Sequence, residues 1–287
     1  MPSQSLLHLH EIASFKRPDL ELAVQNLARS AYLGDYTAVA RILGRYKFYI
    51  DTRDRGFGSH LLLDGYWEIW LTQFCARNVR DGMVAVDVGA NFGYYSVLLA
   101  ELVGASGQLL AIEPNPHAMD FLRRSIDLNG FLRRTRLAQI ALTDPNDKLV
   151  SLYIPHNEPK NAAVVEPGFV ADAVSGSLVN VRTATLDQLC QSYERVDFIK
   201  IDAEGAEEHI FDAMQETIER HKPMIVMEFN ALRYANSVEF IRRLTAVYGT
   251  LRRLDFKGQT HVVTPEQLSA NDTGDDWLLV LSAHEPA

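Results

Sequence analysis

Patterns typical of strands and of helices alternate regularly along the chain from residue 83 onwards. Residues 83–88 form an apolar run, interrupted only by Asp87, of the kind found in parallel strands that are buried on both faces. Repeated strand–helix–strand units require right-handed crossovers, which place helices on both faces of one sheet. The alternation therefore predicts a doubly wound α/β fold. The predicted strands comprise residues 83–88, 108–112, 137–142, 196–201, 224–228, 251–256 and 277–281.

The predicted sheet has seven strands and is mostly parallel, with five parallel strands. A polar stretch without a clear crossover helix joins the last two strands, which predicts an antiparallel closing strand. Residues 148–183 interrupt the alternation, because an alternating strand pattern there is followed by a long polar segment and a second strand pattern. We expect an inserted hairpin and loop, and loops of such length often act as functional lids.

The N-terminal part of the chain has a different character. Residues 18–48 place apolar side chains at helical spacing and predict two helices separated by a turn. We therefore expect residues 1–65 to form a mostly helical extension, which serves as a lid or as the arm of a homodimer. Residues 66–287 are expected to form the main domain and to begin with a helix.

Composition and charge exclude some classes of partner. The 287 residues carry a formal net charge of −9, which argues against nucleic acid because phosphate binding needs a positive surface. No apolar run approaches the roughly 18 residues that span a bilayer, and the N-terminus lacks the pattern of a signal peptide. The two cysteines, Cys75 and Cys190, lack metal-ligand spacing and are expected to be buried thiols. A cytoplasmic protein without a membrane span is the expectation.

A glycine-containing loop follows the first parallel strand. Open α/β sheets bind ligands at the carboxyl ends of their strands, and Gly89 and Gly93 allow a tight turn and a close approach to a ligand. Asp87 places a carboxylate beside the loop, which suits a cationic group such as an α-amine better than a pyrophosphate. Asn91 and Tyr94 stand where a dinucleotide fingerprint would have its second and third glycines. The loop therefore favours an amino-acid-bearing nucleoside over a dinucleotide.

Glu113 comes at the end of the second parallel strand, 20 residues after Gly93. Doubly wound folds place an acid there to accept hydrogen bonds from ribose hydroxyls. Since nicotinamide dinucleotides and S-adenosylmethionine both carry a ribose, Glu113 predicts a nucleoside without choosing between them. A helix-capping role before Pro116 is the structural alternative.

A third group of charged residues ends the strand at residues 196–201. Lys200 and Asp202 alternate onto one face of the strand, and Glu204 follows. Asp202 or Glu204 would serve as the base that removes a proton from a hydroxyl, and Lys200 would tune their pKa or orient the acceptor. The alternative is that these acids, with Glu207, only favour the positive end of the following helix.

Several other polar residues support weaker hypotheses. Glu228 and Asn230 end the next strand, where either an acceptor-binding role or a turn role is open. His209 is expected to be structural, since it is a lone histidine on a helix. Asp275 and Asp276 are expected to lie in a solvated loop, and no metal site is predicted.

Five short segments occur in a specific order along the chain: residues 86–96, 112–116, 141–144, 185–187 and 199–207. In this combination they resemble the FkbM family of S-adenosylmethionine-dependent methyltransferases. The resemblance covers roughly residues 66–230 and implies a Rossmann-like methyltransferase fold.

The resemblance also implies roles for particular residues. The glycine loop would meet the methionine part of S-adenosylmethionine and Glu113 the ribose, while Ala141 and Leu142 would lie near the adenine. Glu68 belongs to an aromatic-Glu segment that resembles one in the family and would also approach the cofactor. The implied reaction is O-methylation of a hydroxyl on a sugar, a glycan or a natural product, with a small-molecule or carbohydrate acceptor.

Two alternatives remain open from the sequence. One is a nicotinamide-dependent oxidoreductase, against which the glycine pattern argues. The other is a non-catalytic module that binds a nucleoside or docks a partner, and it predicts cofactor binding without turnover.

Overall fold

The computed structural model describes residues 5–143, 149–156, 162–165, 169–170, 172, 174–270 and 274–287. The helices are α1 (Leu9–Ser14), α2 (Arg17–Leu27), α3 (Phe57–Leu63), α4 (Ile69–Asn78), α5 (Tyr94–Leu102), α6 (Pro116–Leu128), α7 (Leu186–Cys190), α8 (Glu207–Asp212), α9 (Gln215–His221), α10 (Ser237–Tyr248) and α11 (Pro265–Ser269). The strands are β1 (Ser30–Gly34), β2 (Thr37–Ile42), β3 (Tyr46–Asp51), β4 (Val84–Val88), β5 (Gln108–Ile112), β6 (Thr135–Ala138), β7 (Ala141–Leu142), β8 (Leu149–Pro155), β9 (Ala163–Val165), β10 (Gly176–Ala184), β11 (Phe198–Ile201), β12 (Met224–Phe229), β13 (Leu251–Leu254), β14 (Thr260–Val263) and β15 (Trp277–Leu281).

The main sheet is mixed and has the strand order β14-β13-β15-β12-β11-β4-β5-β6. The five strands from β12 to β6 run parallel, and β15 closes the sheet antiparallel to β12, as predicted. The predicted count of seven strands is wrong, because the polar stretch before β15 contains β14, which pairs with β13. Its mostly half-buried or exposed side chains give no buried-strand pattern in the sequence.

The N-terminal segment contains more strand than the sequence predicts. Only α2 of the two predicted helices exists, and the second is replaced by β2 within the antiparallel sheet β1-β2-β3. In β2, Ala38, Ala40 and Ile42 are buried while the residues between them are half-buried. This period of two is a strand pattern, so the second predicted helix is wrong, and the segment before residue 65 combines three helices with a three-stranded sheet. The predicted turn does occur, since Gly34 begins the hairpin with a positive φ of 96°.

The predicted insertion forms a second sheet with the order β7-β10-β8-β9. Strands β8 and β10 pair antiparallel from Gly176 with Pro155 to Arg182 with Leu149, which confirms the predicted hairpin. The predicted strand at residues 137–142 is split, because β6 pairs in the main sheet whereas β7 pairs with β10. Parts of the predicted loop, together with Asp144, lie outside the described residues.

One hydrophobic cluster packs against both the N-terminal segment and the main sheet. It contains Ile42 and Phe48 from the N-terminal strands together with Phe92 and Leu98 from the glycine loop and α5. The division of the chain at residue 65 stays a prediction, and this shared core means that the two parts are packed together. A second cluster fills the opposite face of the main sheet and includes Met214 and Phe240.

A buried carboxylate joins the N-terminal sheet to helix α6. Asp51, at the end of β3, is fully buried and accepts hydrogen bonds from the Arg53 guanidinium, at 2.6 Å, and from His117 Nε2, at 2.6 Å. His117 lies in the first turn of α6, and its ring packs edge-on against Phe92 of the glycine loop. Burial raises the pKa of Asp51, but the hydrogen bonds from Arg53 and His117 outweigh it and leave the pKa below the usual 3.8.

We expect Asp51→Asn to lower the free energy of unfolding by about 2 kcal/mol at neutral pH, because hydrogen bonds to charged groups contribute about 1.5–3 kcal/mol. Since the pKa of Asp51 is lowered on folding, its stabilisation is present above 3.8 and is lost as the pH falls through the folded value. Chemical denaturation of both proteins at neutral and acidic pH measures this difference. A difference that did not shrink in acid would contradict the assignment.

Candidate active site

The glycine loop between β4 and α5 is shaped by close packing as well as by its turn. Gly89 has a φ of 71°, and a Cβ there would lie 1.7 Å from the backbone oxygen of Asp202. Gly93 has a φ of 96°, and a Cβ there would lie 2.4 Å from Leu122 Cδ1. The neighbouring backbone therefore requires glycine at position 89, a reason that the sequence did not reveal. At Gly93 the contact is with the end of a flexible side chain, and the positive φ is the stronger reason for glycine.

Glu113 follows β5 and is held against the glycine loop. The amide of Asn91 donates to its Oε2 at 2.8 Å, and the amide of Asn115 donates to its Oε1 at 2.8 Å. Burial raises its pKa to about 7, although these two amides lower it. The helix-capping alternative is not needed for α6, because the side chain of Asn115 caps that helix by accepting from the amide of His117.

Asp87 is fully buried at the end of β4. Its Oδ2 accepts a 2.6 Å hydrogen bond from the Ser96 hydroxyl, and its Oδ1 lies 3.8 Å from Lys200 Nζ. Oδ1 has no hydrogen-bond partner among the described residues, and neither has the buried Oδ1 of Asn91 in the same loop. Burial raises the pKa of Asp87, whereas Lys200 and Ser96 oppose the rise.

Lys200, on β11, is a buried cation with a side-chain exposure of only 4%. Its Nζ lies 3.2 Å from Asp202 Oδ2 and 4.9 Å from the centre of the Tyr95 ring. Burial lowers its pKa, but the charges of Asp202 and Asp87 outweigh burial and leave the pKa above its usual value. Lys200 therefore stays protonated and links the glycine loop to the acids after β11.

Glu68 immediately precedes α4 and has a left-handed backbone with a φ of 36°. Its Oε2 accepts a 2.8 Å hydrogen bond from the Tyr95 hydroxyl. Asn91 and Glu204 also have positive φ values, of 50° and 53°. Left-handed conformations of residues other than glycine are strained and concentrate at functional sites. Glu68, Asn91 and Glu204 all line the same cavity, which supports a ligand-binding role for it.

The loop after β11 is held in place by a buried acid. Glu207 Oε1 accepts from the amides of Ala203 and Gly205, and its Oε2 accepts from the Tyr234 hydroxyl. Glu207 stands in the first turn of α8, as the helix-favouring alternative predicts, but it also fixes the loop that carries Asp202 and Glu204. Only Glu207, which is 1% exposed, is fully buried among these three acids.

Arg233 is a site residue that the sequence did not reveal. Its guanidinium binds Glu228 Oε2 and lies 3.1 Å from Asp276 Oδ1 and 3.8 Å from Glu204 Oε2. Asp275 and Asp276 lie exposed in an irregular segment before β15, as expected, but Asp276 also pairs with Arg233 and accepts from Asn230 Nδ2 at 2.9 Å, which the sequence did not reveal. The only signal in the sequence is that Arg233 follows a parallel strand by a few residues.

One cavity of about 1090 Å³ joins these groups at the carboxyl ends of β4, β5, β11 and β12. Asp87 and Gly93 do not line it, whereas the other predicted site residues do. The sequence-predicted residues in its lining are Glu68, Gly89, Asn91, Glu113, Ala141, Leu142, Lys200, Asp202 and Glu204. Trp67, Tyr95, His209, Glu228 and Arg233 also line it. Residues 149–152 and 162–165 of the inserted sheet form a further part of its wall.

The doubly wound sheet and a cavity at the carboxyl ends of its strands define the ligand-binding class of open α/β proteins. The sequence model described as the methyltransferase FkbM domain matches residues 87–257. The match covers more than half of the chain, and the chain belongs to the FkbM methyltransferase family. The oxidoreductase alternative is not favoured by this assignment.

Two curated relatives and one solved structure illustrate the similarity. Methyltransferase sdnD of Sordaria araneosa is 28% identical over 179 residues, which span 53% of this chain and 68% of that protein. A protein-L-isoaspartate O-methyltransferase of Methanothrix thermoacetophila is 36% identical over 50 residues, or 17% of this chain and 24% of that protein. The crystal structure of methyltransferase FkbM from Methylobacillus flagellatus KT superposes with a TM-score of 0.41 and 18% identity, over 71% of this chain and 44% of that one.

The cofactor of this methyltransferase is S-adenosylmethionine, and the cavity and the residues directly behind its lining contain groups that suit it. Two buried acceptor oxygens, Asp87 Oδ1 and Asn91 Oδ1, have no hydrogen-bond partner among the described residues. Unpaired buried acceptors favour a ligand that brings N–H or O–H donors. Glu113 lies beside them with its carboxylate anchored by two backbone amides, which leaves lone pairs for further donors.

Within the described part of the chain, no group of three or more His, Cys, Asp or Glu side chains has an arrangement that could hold a metal ion. No helix among the described residues combines the length and apolar character needed to cross a bilayer. Cys75 and Cys190 are both buried and unpaired, as expected.

Proposed function

We propose that this methyltransferase transfers the methyl group to a hydroxyl oxygen of a sugar, a glycan or a natural product. The observation that carries the proposal is one cavity, of about 1090 Å³, which runs from Glu113 and the glycine loop to the acids after β11. Ligand sites typically measure about 300–1,000 Å³, so this volume has room for a nucleoside and part of an acceptor.

The cofactor-binding part of the site would use the loop between β4 and α5. Glu113 would accept hydrogen bonds from the ribose hydroxyls, and Ala141 and Leu142 would contact the adenine. Asn91 and Glu68 would receive the amino-acid part, since both line the cavity. Asp87 would contribute through its unpaired Oδ1 or through Lys200, because it lies behind the lining.

The acceptor-binding part would use the loop after β11. S-adenosylmethionine supplies an electrophilic methyl group when it is bound. Asp202, held on one oxygen by Lys200, would accept a hydrogen bond from the acceptor hydroxyl and align it, and alignment contributes much of the rate of such a displacement. The proton that leaves the hydroxyl as the new bond to carbon forms would pass to a carboxylate on this side of the cavity, for which Asp202 and Glu204 are the candidates from the sequence.

A transfer assay with labelled S-adenosylmethionine tests the proposal. We expect the wild-type protein to label at least one acceptor from a panel of sugars and hydroxylated natural products. Asp202→Asn should reduce the rate by about a hundredfold or more, because general-base and orienting groups contribute about 10²–10⁴-fold. Its affinity for S-adenosylhomocysteine, measured by calorimetry, should change little.

Arg242→Gln provides a control, because Arg242 is exposed on α10 and its ion-pair partner among the described residues is Glu239. It should retain the wild-type rate. Cofactor binding without transfer to any acceptor, together with wild-type behaviour of Asp202→Asn, would instead support a non-catalytic nucleoside-binding module. A homodimer and a lid role of the N-terminal segment remain proposals that do not affect this assay.

A further inference from the structure

Glu228 is a carboxylate at the acceptor side of the cavity that the proposed roles above leave unused. It stands at the end of β12, directly after Met227, which pairs with Ile201 of β11 in the parallel register. Asp202 directly follows Ile201 in the same way. Asp202 and Glu228 therefore leave the neighbouring parallel strands β11 and β12 at the same level. Glu228 lines the cavity, and its side chain is only 19% exposed.

Four charged groups surround this carboxylate. Arg233 donates to its Oε2, whereas no hydrogen bond from the described residues reaches its Oε1. Asp202 and Glu204 face it from the loop after β11, and Asp276 faces it from the segment before β15. Since Arg233 also pairs with Glu204 and Asp276, a single guanidinium is shared among three carboxylates.

The shared guanidinium leaves the proton affinity of Glu228 high. Burial and the negative charge of Asp202 raise the pKa of Glu228 to about 8, although Arg233 lowers it. A base works best when its pKa lies near the working pH, because it is then partly ionised and still attracts a proton strongly. Asp202 differs in its surroundings, since Lys200 Nζ lies 3.2 Å from its Oδ2.

We propose that Glu228 is the general base of the transfer and that its Oε1 receives the proton of the acceptor hydroxyl. As the acceptor oxygen forms its bond to the methyl carbon, the sulfur–methyl bond breaks, and the O–H proton passes to Glu228. Arg233 fixes the carboxylate by its other oxygen, and Asp202 aligns the hydroxyl. This inference rests on the proposed O-methyl transfer. It assigns the proton to Glu228 in place of the sequence candidates Asp202 and Glu204.

The pH dependence of kcat on an acceptor found in the panel tests the assignment. We expect kcat of the wild-type protein to rise with pH through a midpoint near 8, because the ionised form of Glu228 is the active one. Glu228→Gln keeps the shape of the side chain and should lose this rise and about a hundredfold or more in kcat. Glu228→Asp should retain the rise of kcat with pH, although its kcat should be lower than that of the wild-type protein.

The variant Asp202→Asn distinguishes the role of Asp202 from that of Glu228. Removing the charge of Asp202 should move the midpoint to lower pH without abolishing it, because that charge raises the pKa of Glu228. Glu239→Gln, which alters an exposed acid paired with Arg242, should leave the profile unchanged. A rise that persists in Glu228→Gln and disappears in Asp202→Asn would overturn the proposal.

An infrared titration provides a readout that needs no acceptor. The protonated-carboxyl band of the wild-type protein should include a component that titrates near pH 8 and is missing in Glu228→Gln. Absence of this component from the wild-type protein would overturn the proposal. Failure of every acceptor would defeat the proposed function and this inference together, whereas transfer with an unchanged profile in Glu228→Gln would defeat this inference alone.

Discussion

Lys200→Met is expected to lower the free energy of unfolding by about 3–5 kcal/mol, the cost of removing one partner of a buried ion pair. Lys200 is buried beside Asp87, whose side chain is 0% exposed, so the substitution leaves a buried carboxylate without its cation. Since burial raises the pKa of Asp87, the deficit should shrink at lower pH, where Asp87 becomes protonated in the folded protein. Chemical denaturation over a range of pH measures both effects.

The double substitution of Lys200→Met with Asp87→Asn is the matched control. It removes the orphaned charge together with its partner, and we expect it to recover part of the lost stability relative to Lys200→Met alone. With Asp87→Asn measured separately, the four proteins form a cycle that isolates the coupling between the two side chains. A stability of Lys200→Met within about 1 kcal/mol of wild type would contradict the burial of this pair.

Gly89→Ala should lower the free energy of unfolding nearly as much as Lys200→Met does. A left-handed residue other than glycine costs about 1–3 kcal/mol, and overpacking costs about 1–3 kcal/mol more, so we expect a loss of about 4 kcal/mol. The added Cβ would lie 1.7 Å from the backbone oxygen of Asp202, and backbone cannot move aside as a flexible side chain can. The shift should also displace the glycine loop and weaken binding of S-adenosylhomocysteine, which calorimetry measures.

The variant Gly130→Ala separates two costs of Gly89→Ala: the strain of a left-handed backbone and the close contact with the backbone of Asp202. Gly130 has a similar φ of 75°, but a Cβ there would meet nothing within 4 Å. The free energy of unfolding of Gly130→Ala should therefore fall only by the cost of the backbone strain. The variant should bind S-adenosylhomocysteine as the wild-type protein does. Equal losses of stability in the two alanine variants would show that the contact with Asp202 does not constrain the loop.

The parallel half of the sheet could be predicted because its signals are local. The run that became β4 is fully buried along its length, so its sequence is apolar almost throughout. The glycines of the following loop and the proline at the start of α6 mark where the chain turns. The closing strand β15 was also predictable, since it is apolar and the polar sequence before it shows no clear crossover helix; the five-residue helix α11 there does not make β15 parallel.

The N-terminal sheet could not be predicted in the same way. Val39 and Ile42 are three residues apart, which fits one face of a helix, whereas the buried residues of β2 are Ala38, Ala40 and Ile42. Alanine is common in helices, and its burial in this strand depends on packing against the rest of the protein. Strand β14 was missed for a related reason, because it pairs at the edge of the sheet with largely exposed side chains.

The candidate site was predictable where its residues follow strands directly. Glu113 and Asp202 come at strand ends, so the fold class alone places them at one edge of the sheet. Arg233 was not predictable, because its role depends on Asp276, which lies 43 residues further along the chain. The position of Asp87 behind the cavity lining could not be predicted from the sequence either, because it depends on where Lys200 packs.

A structure of the protein with S-adenosylhomocysteine bound tests the account most directly. We expect both ribose hydroxyls within hydrogen-bonding distance of Glu113, and the sulfur in the cavity on the side of Asp202 and Glu228. Binding of the nucleoside at a different surface, with Glu113 and the glycine loop left without contact, would contradict the account.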